Sequence, residues 1–344
     1  MNEIRAGVIG LGFIGQTHIR AYNTAHDSGL PVKLAGVADK NADLLTGTFE
    51  TQGNIDSTTH DALFDPEQTC TTTDPTTLIE SDDIDLISIC THTDTHIELA
   101  LQALRAGKHV LVEKPVARTS SDISILTSAA AEAEKQRVLC MPAMCMRFWP
   151  AWAWLRDAVT TGIYGRTRSA TFQRLGSTPG WSDGFYKDKS RSGGALLDLH
   201  IHDTDFVHAC FGVPDSVTST GDEDHISTQY TYNDTPVHVA AEGCWDRHPS
   251  APFVMRYSVC FERATAEFSL GADHELVLHD DSGSTPINLS RLTGWDMQIR
   301  AYLIAIGEGA STPPVTMHDA LRVMQTIEAE QRSLAMGGSR RLER

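Results

Sequence analysis

The stretch GGALLDLHIHDTDF, residues 193–206, carries two histidines and three carboxylates. Its chemistry depends on the backbone beneath it. On a strand, His200 and His202 would share a face and could chelate a metal; on a helix, shared faces come three and four residues apart. Leu196, Leu199, Phe206 and Val207 keep roughly helical spacing, Gly193 and Gly194 precede them, and Gly212 supplies a stop. A helix is therefore expected from just after Gly194 to near Gly212. It places Asp198 and His202 on one face, with Asp205 three residues further, and turns His200 away. No metal is expected there. What the face offers is an acid–base pair. Oxidation of a secondary alcohol needs a proton acceptor as hydride leaves carbon, and a histidine with an ordinary pKa of about 6.5 suits it. Taken alone, the pair would be a simple i,i+4 contact worth about 0.2–0.5 kcal/mol.

A second group of residues points to a dinucleotide. Gly10, Gly12 and Gly15 form G-x-G-x-x-G directly after the apolar run RAGVIG and at the head of a helical pattern. The next strand pattern, VKLAGVAD, ends at Asp39. That context suits a tight turn, close backbone approach to a pyrophosphate, phosphates at a helix N-terminus, and a carboxylate for the ribose hydroxyls. Asp39 would repel the extra phosphate of NADP, so NAD is expected; Lys40 beside it keeps NADP as the alternative. Further on, KHVLVEKPVA puts Glu113, Lys114 and Pro115 just past a buried strand. In parallel sheets ligands bind beyond the carboxyl ends of strands, which places Lys114 near a nicotinamide.

The elements that must position these residues divide the chain in two. Over residues 1–145, strand patterns (RAGVIG, VKLAGVAD, IDLISIC, KHVLVEK, RVLCMPAM) alternate with helical ones, which implies βαβ units and a parallel sheet. Over 146–344, the tryptophan-rich helix PAWAWLRDAVTTG leads into many alternating segments separated by turns. These imply a large, mostly antiparallel open sheet, with a final amphipathic helix at about 317–336. The expected class is α/β, with a nucleotide-binding domain and a substrate-binding and oligomerisation domain. The net charge of −17, from 28 basic and 45 acidic residues, argues against nucleic acid or an acidic membrane surface as partner. Seven scattered cysteines read as free thiols of a reducing compartment. With no charged leader and no long apolar run, a cytoplasmic protein is expected.

The glycine fingerprint, CTHTDTHIELALQALRAGKHVLVEKPVA, MRFWP and GGALLDLHIHDTDF occur in this order. Together they resemble the Gfo/Idh/MocA family of nicotinamide-dependent sugar and polyol oxidoreductases, over nearly the whole chain. The resemblance implies a Rossmann domain followed by an α/β domain whose open sheet supports a homo-oligomer, dimer or tetramer. It implies Lys114 as the donor to the reacting oxygen, His202 as the base and Asp198 as its partner and substrate contact. It implies Arg147 and Asp205 near the substrate; apart from the resemblance, Trp181 in the loop STPGWSDGFY is placed where a lid could reach substrate. For the cofactor it implies Phe13, Ile14, Thr91, His92, His96 and Glu113 beside the glycines, Asp39, Lys40 and Lys114. The implied activity is hydride transfer between nicotinamide and a hydroxyl or carbonyl carbon of a cyclic polyol, sugar or sugar derivative. An NAD-dependent glycosidase and a non-catalytic nucleotide sensor are the alternatives.

Overall fold

The computed structural model describes residues 3–49, 62–180, 184–234 and 236–342. Trp181 lies outside them. The chain forms two compact units, Met1–Cys145 with Gly294–Leu321, and Met146–Thr293 with Arg322–Arg344.

The first unit is built on β1 (Ile4–Ile9), β2 (Val32–Ala38), β3 (Cys70–Thr72), β4 (Leu86–Ile89), β5 (His109–Glu113) and β6 (Cys140–Ala143). All neighbouring pairs are parallel, in the order β3-β2-β1-β4-β5-β6. The order in which successive strands are added reverses between β1 and β4, the switch point at which open sheets of this kind bind nucleotides. Strands β4 and β6 are buried along their whole length, as expected where helices cover both faces. Five of the six strands coincide with apolar runs. The sixth, Cys70–Thr72, is three residues of polar and half-exposed edge and has no such run to mark it.

The division expected at residues 145 and 146 needs a correction toward the C-terminus. Helix Gly294–Gly307 belongs with the first unit. Its Trp295 meets Phe13 edge to face with ring centroids 6.1 Å apart, and its Arg300 donates to Ser28 Oγ. Buried Tyr302 donates to the carbonyls of Val110 and Leu139 at 2.8 and 2.7 Å. These partners are more than a hundred residues away in sequence, so no local pattern announces them.

Arg5 on β1 grips Asp85, the residue before β4, through Nε and Nη2 at 2.9 Å each. Arg5 holds the Asp85 carboxyl below its usual range, its side-chain hydrogen bond being the largest cause. A carboxylate with a depressed folded pKa stabilises the fold above its unfolded value, about 3.9, and that contribution is lost as pH falls through the folded one. Asp85→Asn is therefore expected to lower the urea midpoint modestly at pH 7. The gap to the parent should begin to narrow as pH falls below about 3.9 and close once the folded carboxyl is protonated. Urea curves at a series of pH values check this.

The second unit carries β7 (Thr167–Leu175), β8 (Ser216–Gly221), β9 (His225–Thr231), β10 (His238–Cys244), β11 (Val254–Phe261), β12 (Ala264–Ser269), β13 (Leu276–Asp280), β14 (Gly283–Pro286) and β15 (Arg340–Arg341). They form one sheet in the order β14-β13-β12-β11-β7-β10-β9-β8-β15. Every pairing is antiparallel except β7 with β10. Burial alternates residue by residue along β9, β11 and β12, the mark of a sheet with one covered face. On that face Trp152, from helix Pro150–Thr161, packs edge on against Phe206, Tyr257 and Phe268. The final helix runs Met317–Met336.

Candidate active site

The glycine loop follows β1 directly. Gly10 has φ +91°, a conformation that strains any residue with a side chain, and its N–H donates to the Ala38 carbonyl at 2.8 Å. A Cβ on Gly15 would lie 1.8 Å from the Gly10 carbonyl oxygen, so only glycine lets the helix Phe13–Asp27 start this close to the strand. Gly12 has open space where a Cβ would stand, leaving room for a ligand's phosphates against bare backbone at a helix N-terminus. Phe13 and Ile14 are half-exposed beside it. Asp39, past β2, accepts from Leu11 N at 2.6 Å and from Asn41 N at 2.8 Å. Its carboxylate thereby ties the loop to the second strand, with exposed Lys40 next to it. These residues fit a dinucleotide.

At the end of β5 the Lys114–Pro115 peptide is cis. Glu113 is buried and its two oxygens are committed to protein: Oε1 lies 3.0 Å from His18 Nε2, and Oε2 accepts from Lys114 N at 3.0 Å. His18 lies on the glycine-loop helix, and its other ring nitrogen faces Ser88 Oγ at 3.3 Å. A neutral ring donating to Glu113 and accepting from Ser88 satisfies all three groups. Through the Lys114 N–H, Glu113 helps fix the backbone at Lys114. Lys114 itself is half-buried.

His96 is likewise not presented to a ligand. It is buried, with Nδ1 3.0 Å from the Pro115 carbonyl and Nε2 3.0 Å from the Thr91 carbonyl. It bridges the ends of β4 and β5. Burial lowers its pKa, against the opposing pull of the two carbonyls. Thr91 and His92 remain half-exposed, and Thr95 Oγ1 donates to Thr91 Oγ1 at 2.7 Å.

In the second unit the histidine-rich segment departs from the expected regular helix. Leu196–His200 is a π-turn, which continues as α-helix Ile201–Phe211 before Gly212. Gly193 and Gly194 both have positive φ, and Leu196 N donates to the Glu223 carbonyl at 3.0 Å, anchoring the turn from outside the helix. Single π-turns inside helices recur at functional sites. Throughout residues 195–207 every residue is buried except Asp198 and His202, which are half-exposed. His200 goes the other way: its ring contacts Gly243 of β10, where an added Cβ would sit 3.2 Å from Nδ1. His200 Nε2 lies 3.2 Å from Tyr230 Oη and 3.5 Å from Glu330 Oε2. It is a core residue, and it cannot chelate together with His202.

Two residues expected near the substrate pair with each other inside this unit. Arg147 Nε reaches both oxygens of Asp205 at 3.0 Å, and Nη2 reaches Oδ1 at 2.7 Å, with both side chains buried. Arg174 and Asp203 repeat the arrangement at 3.0 Å, also buried. Each pair satisfies a charge the interior would otherwise reject, and the Arg147–Asp205 pair ties helix Ile201–Phe211 to the segment before helix Pro150–Thr161. His18, Tyr230, Glu330 and the Arg174–Asp203 pair carry no local signal that would have singled them out. The nearest to one is His18, three residues after Gly15, on the face of its helix that the glycine turns to the sheet.

A six-stranded parallel sheet with a glycine turn at its switch point, joined in one chain to a large open sheet bearing an Asp-x-x-x-His helix, defines a dinucleotide-binding two-unit α/β protein. The chain belongs to the Gfo/Idh/MocA oxidoreductase family: residues 4–141 match its NAD-binding Rossmann fold, and residues 152–265 match its C-terminal domain. The chain is 29% identical over 209 residues to myo-inositol 2-dehydrogenase of Thermotoga maritima, a match covering 61% of the chain and 55% of that enzyme. The chain thus matches little more than half of that relative's length. Inositol 2-dehydrogenase of Rhizobium meliloti is 25% identical over 351 residues, covering 96% of the chain and 97% of the relative. A solved levoglucosan dehydrogenase in complex with NADH and levoglucosan shares the fold with a TM-score of 0.83, at 20% identity and with both chains fully covered.

Proposed function

We propose that this chain is an NAD(H)-dependent oxidoreductase acting on a hydroxyl or carbonyl carbon of a cyclic polyol, sugar or sugar derivative. The observation that carries this reading is the selective exposure of Asp198 and His202 within an otherwise buried thirteen-residue stretch. Two polar side chains aimed outward from a rigid π-turn and helix suit a substrate with several hydroxyls. The family's relatives named as inositol and sugar dehydrogenases support the substrate class. When bound, NAD supplies the hydride acceptor. His202 takes the hydroxyl proton, Asp198 orients it or binds a neighbouring hydroxyl, and the Lys114 ammonium stabilises negative charge developing on the oxygen. NAD is preferred over NADP because Asp39 stands where a 2′-phosphate would sit. The solvent-facing side of the second unit's sheet, with Gln173, Arg256, Ser258 and Glu267 on adjacent strands, is the surface through which we expect copies of the chain to associate.

The test follows the near-ultraviolet absorbance of reduced nicotinamide in mixtures of protein, NAD and a panel of cyclic polyols, aldoses and glycosides. A rise with one class supports the reading and names the substrate class. Loss of a glycoside without accumulation of reduced cofactor replaces it with the glycosidase. Binding of NADH with no turnover across the panel replaces it with the sensor.

A further inference from the structure

A separate cluster in the second unit has the donors of a metal site. His225 opens β9 and Cys244 closes β10, and the antiparallel register sets them directly opposite one another. Opposed residues put their side chains on the same face. Asp246 follows two residues later, held by an isolated bridge to Ser177. One ligand atom from each of His225, Cys244 and Asp246 lies within 4.8 Å of the others. In tetrahedral zinc the ligand atoms stand roughly 3.3–3.6 Å apart, given metal bonds of about 2.0–2.3 Å. Side-chain shifts of about one ångström therefore bring the three atoms to that spacing.

A further feature marks it as more than a surface salt bridge. The His225 ring stands between two carboxylates, with Nδ1 2.9 Å from Asp246 Oδ2 and Nε2 3.0 Å from Glu242 Oε1. If Nδ1 turns to an ion, Nε2–H already donates to Glu242. A carboxylate on the far nitrogen is the usual way a metal-binding histidine is oriented. Glu242 is fixed in turn by Gln173, and Gln173 by Arg256. The thiol is buried at the base of the cluster, with half-exposed His225 and exposed Asp246 at its mouth.

We propose that His225, Cys244 and Asp246 bind a thiophilic divalent cation of the zinc type. The donor set selects the class: thiolate and imidazole favour zinc-like ions, whereas magnesium and calcium prefer oxygen throughout. Three protein ligands leave a fourth position for water. Binding displaces the thiol proton and any proton on Nδ1 to solvent and involves no change of oxidation state, so affinity rises with pH. The ion would be a structural clip. It joins β9, β10 and the 245–247 segment, where Trp245 N donates to the Asp224 carbonyl and Arg247 N to the Gly176 carbonyl. The same 222–225 loop supplies the Glu223 carbonyl that anchors the π-turn below Asp198. The site is independent of the proposed hydride transfer and needs no substrate to be tested.

The experiment strips the full-length chain with a chelator and titrates it with Co²⁺ alone, read by absorbance. The expected result is a thiolate-to-cobalt charge-transfer band that saturates at one equivalent, is displaced by Zn²⁺, and is absent from Cys244→Ser. His225→Asn should weaken cobalt binding at least about tenfold, and Zn²⁺ should raise the thermal midpoint of the parent but not of Cys244→Ser. Far-ultraviolet circular dichroism and NADH binding without metal establish that each variant is folded; if serine is not tolerated, His225→Asn alone decides. The proposal is overturned by no band at one equivalent, by ligand-field absorption lacking thiolate character, or by a band that survives in both variants and so belongs to another cysteine.

Discussion

His202→Ala is expected to slow NAD reduction by about 10²- to 10⁴-fold, the usual contribution of a positioned general base. Affinity for NADH should stay within about threefold of the parent, because the glycine loop, Asp39 and Gly12 of the first unit are untouched. The reason for so large an effect lies in the lack of substitutes. In the stretch 195–207 only Asp198 and His202 are not buried, and His200 is turned into the core against Gly243. A carboxylate is a much weaker base than imidazole, so Asp198 is a poor substitute for the missing ring. The rate of His202→Ala should therefore climb with pH over a range where the parent has levelled off, since hydroxide or an ionising substrate takes over the proton. Stopped-flow absorbance of the reduced cofactor at several pH values, with NADH fluorescence titration alongside, checks both parts. A variant that loses NADH binding together with rate would mean that the substitution disturbed the fold and not the base.

How much of this was legible in the sequence follows from the range of the interactions involved. The glycine loop could be read because its constraints are local: Gly10 needs its positive φ and Gly15 must clear a carbonyl five residues away. The alternating strands of the second unit announced a sheet with one covered face for the same reason. The π-turn was not legible, since its anchor is the Glu223 carbonyl, a contact made only in the folded chain. Asp198 and His202 are nonetheless the two half-exposed residues of the stretch, on the face that helical spacing suggested. What stayed hidden was each polar residue's partner far along the chain. Glu113 and His96 looked like cofactor contacts, but His18 is 95 positions from Glu113, and Pro115 is 19 from His96. Arg147 and Asp205, 58 positions apart and expected near the substrate, form one buried pair. Charge and proximity to a glycine loop are visible in a sequence; whether a charge is already paired is not. Helix Gly294–Gly307 escaped assignment to the first unit by the same logic.

Asp203→Ala should cost about 3–5 kcal/mol of stability, the penalty for removing one partner of a buried ion pair. Arg174 would keep its charge while only 3% of its side chain is accessible, with its remaining contacts a methionine sulfur and the face of Trp152. The loss comes from stranding the guanidinium and not from the attraction forfeited, and a second variant separates the two. Exchanging both residues together, Arg174→Met with Asp203→Leu, removes the pair and the desolvation it entails, and should recover most of the stability lost by Asp203→Ala. Urea unfolding followed by far-ultraviolet circular dichroism compares the three proteins. If the double variant is as unstable as the single one, the pair is needed for its geometry: in the parent a bidentate clamp holds Asp203 at the first turn of helix Ile201–Phe211. If stability returns but NAD reduction stays low, the clamp serves placement. Asp203 immediately follows His202, so a shift of that turn moves the proposed base directly. A double variant that is stable and fully active would show that packing alone fixes the helix, leaving the arginine and aspartate as a charge pair the core tolerates without depending on it.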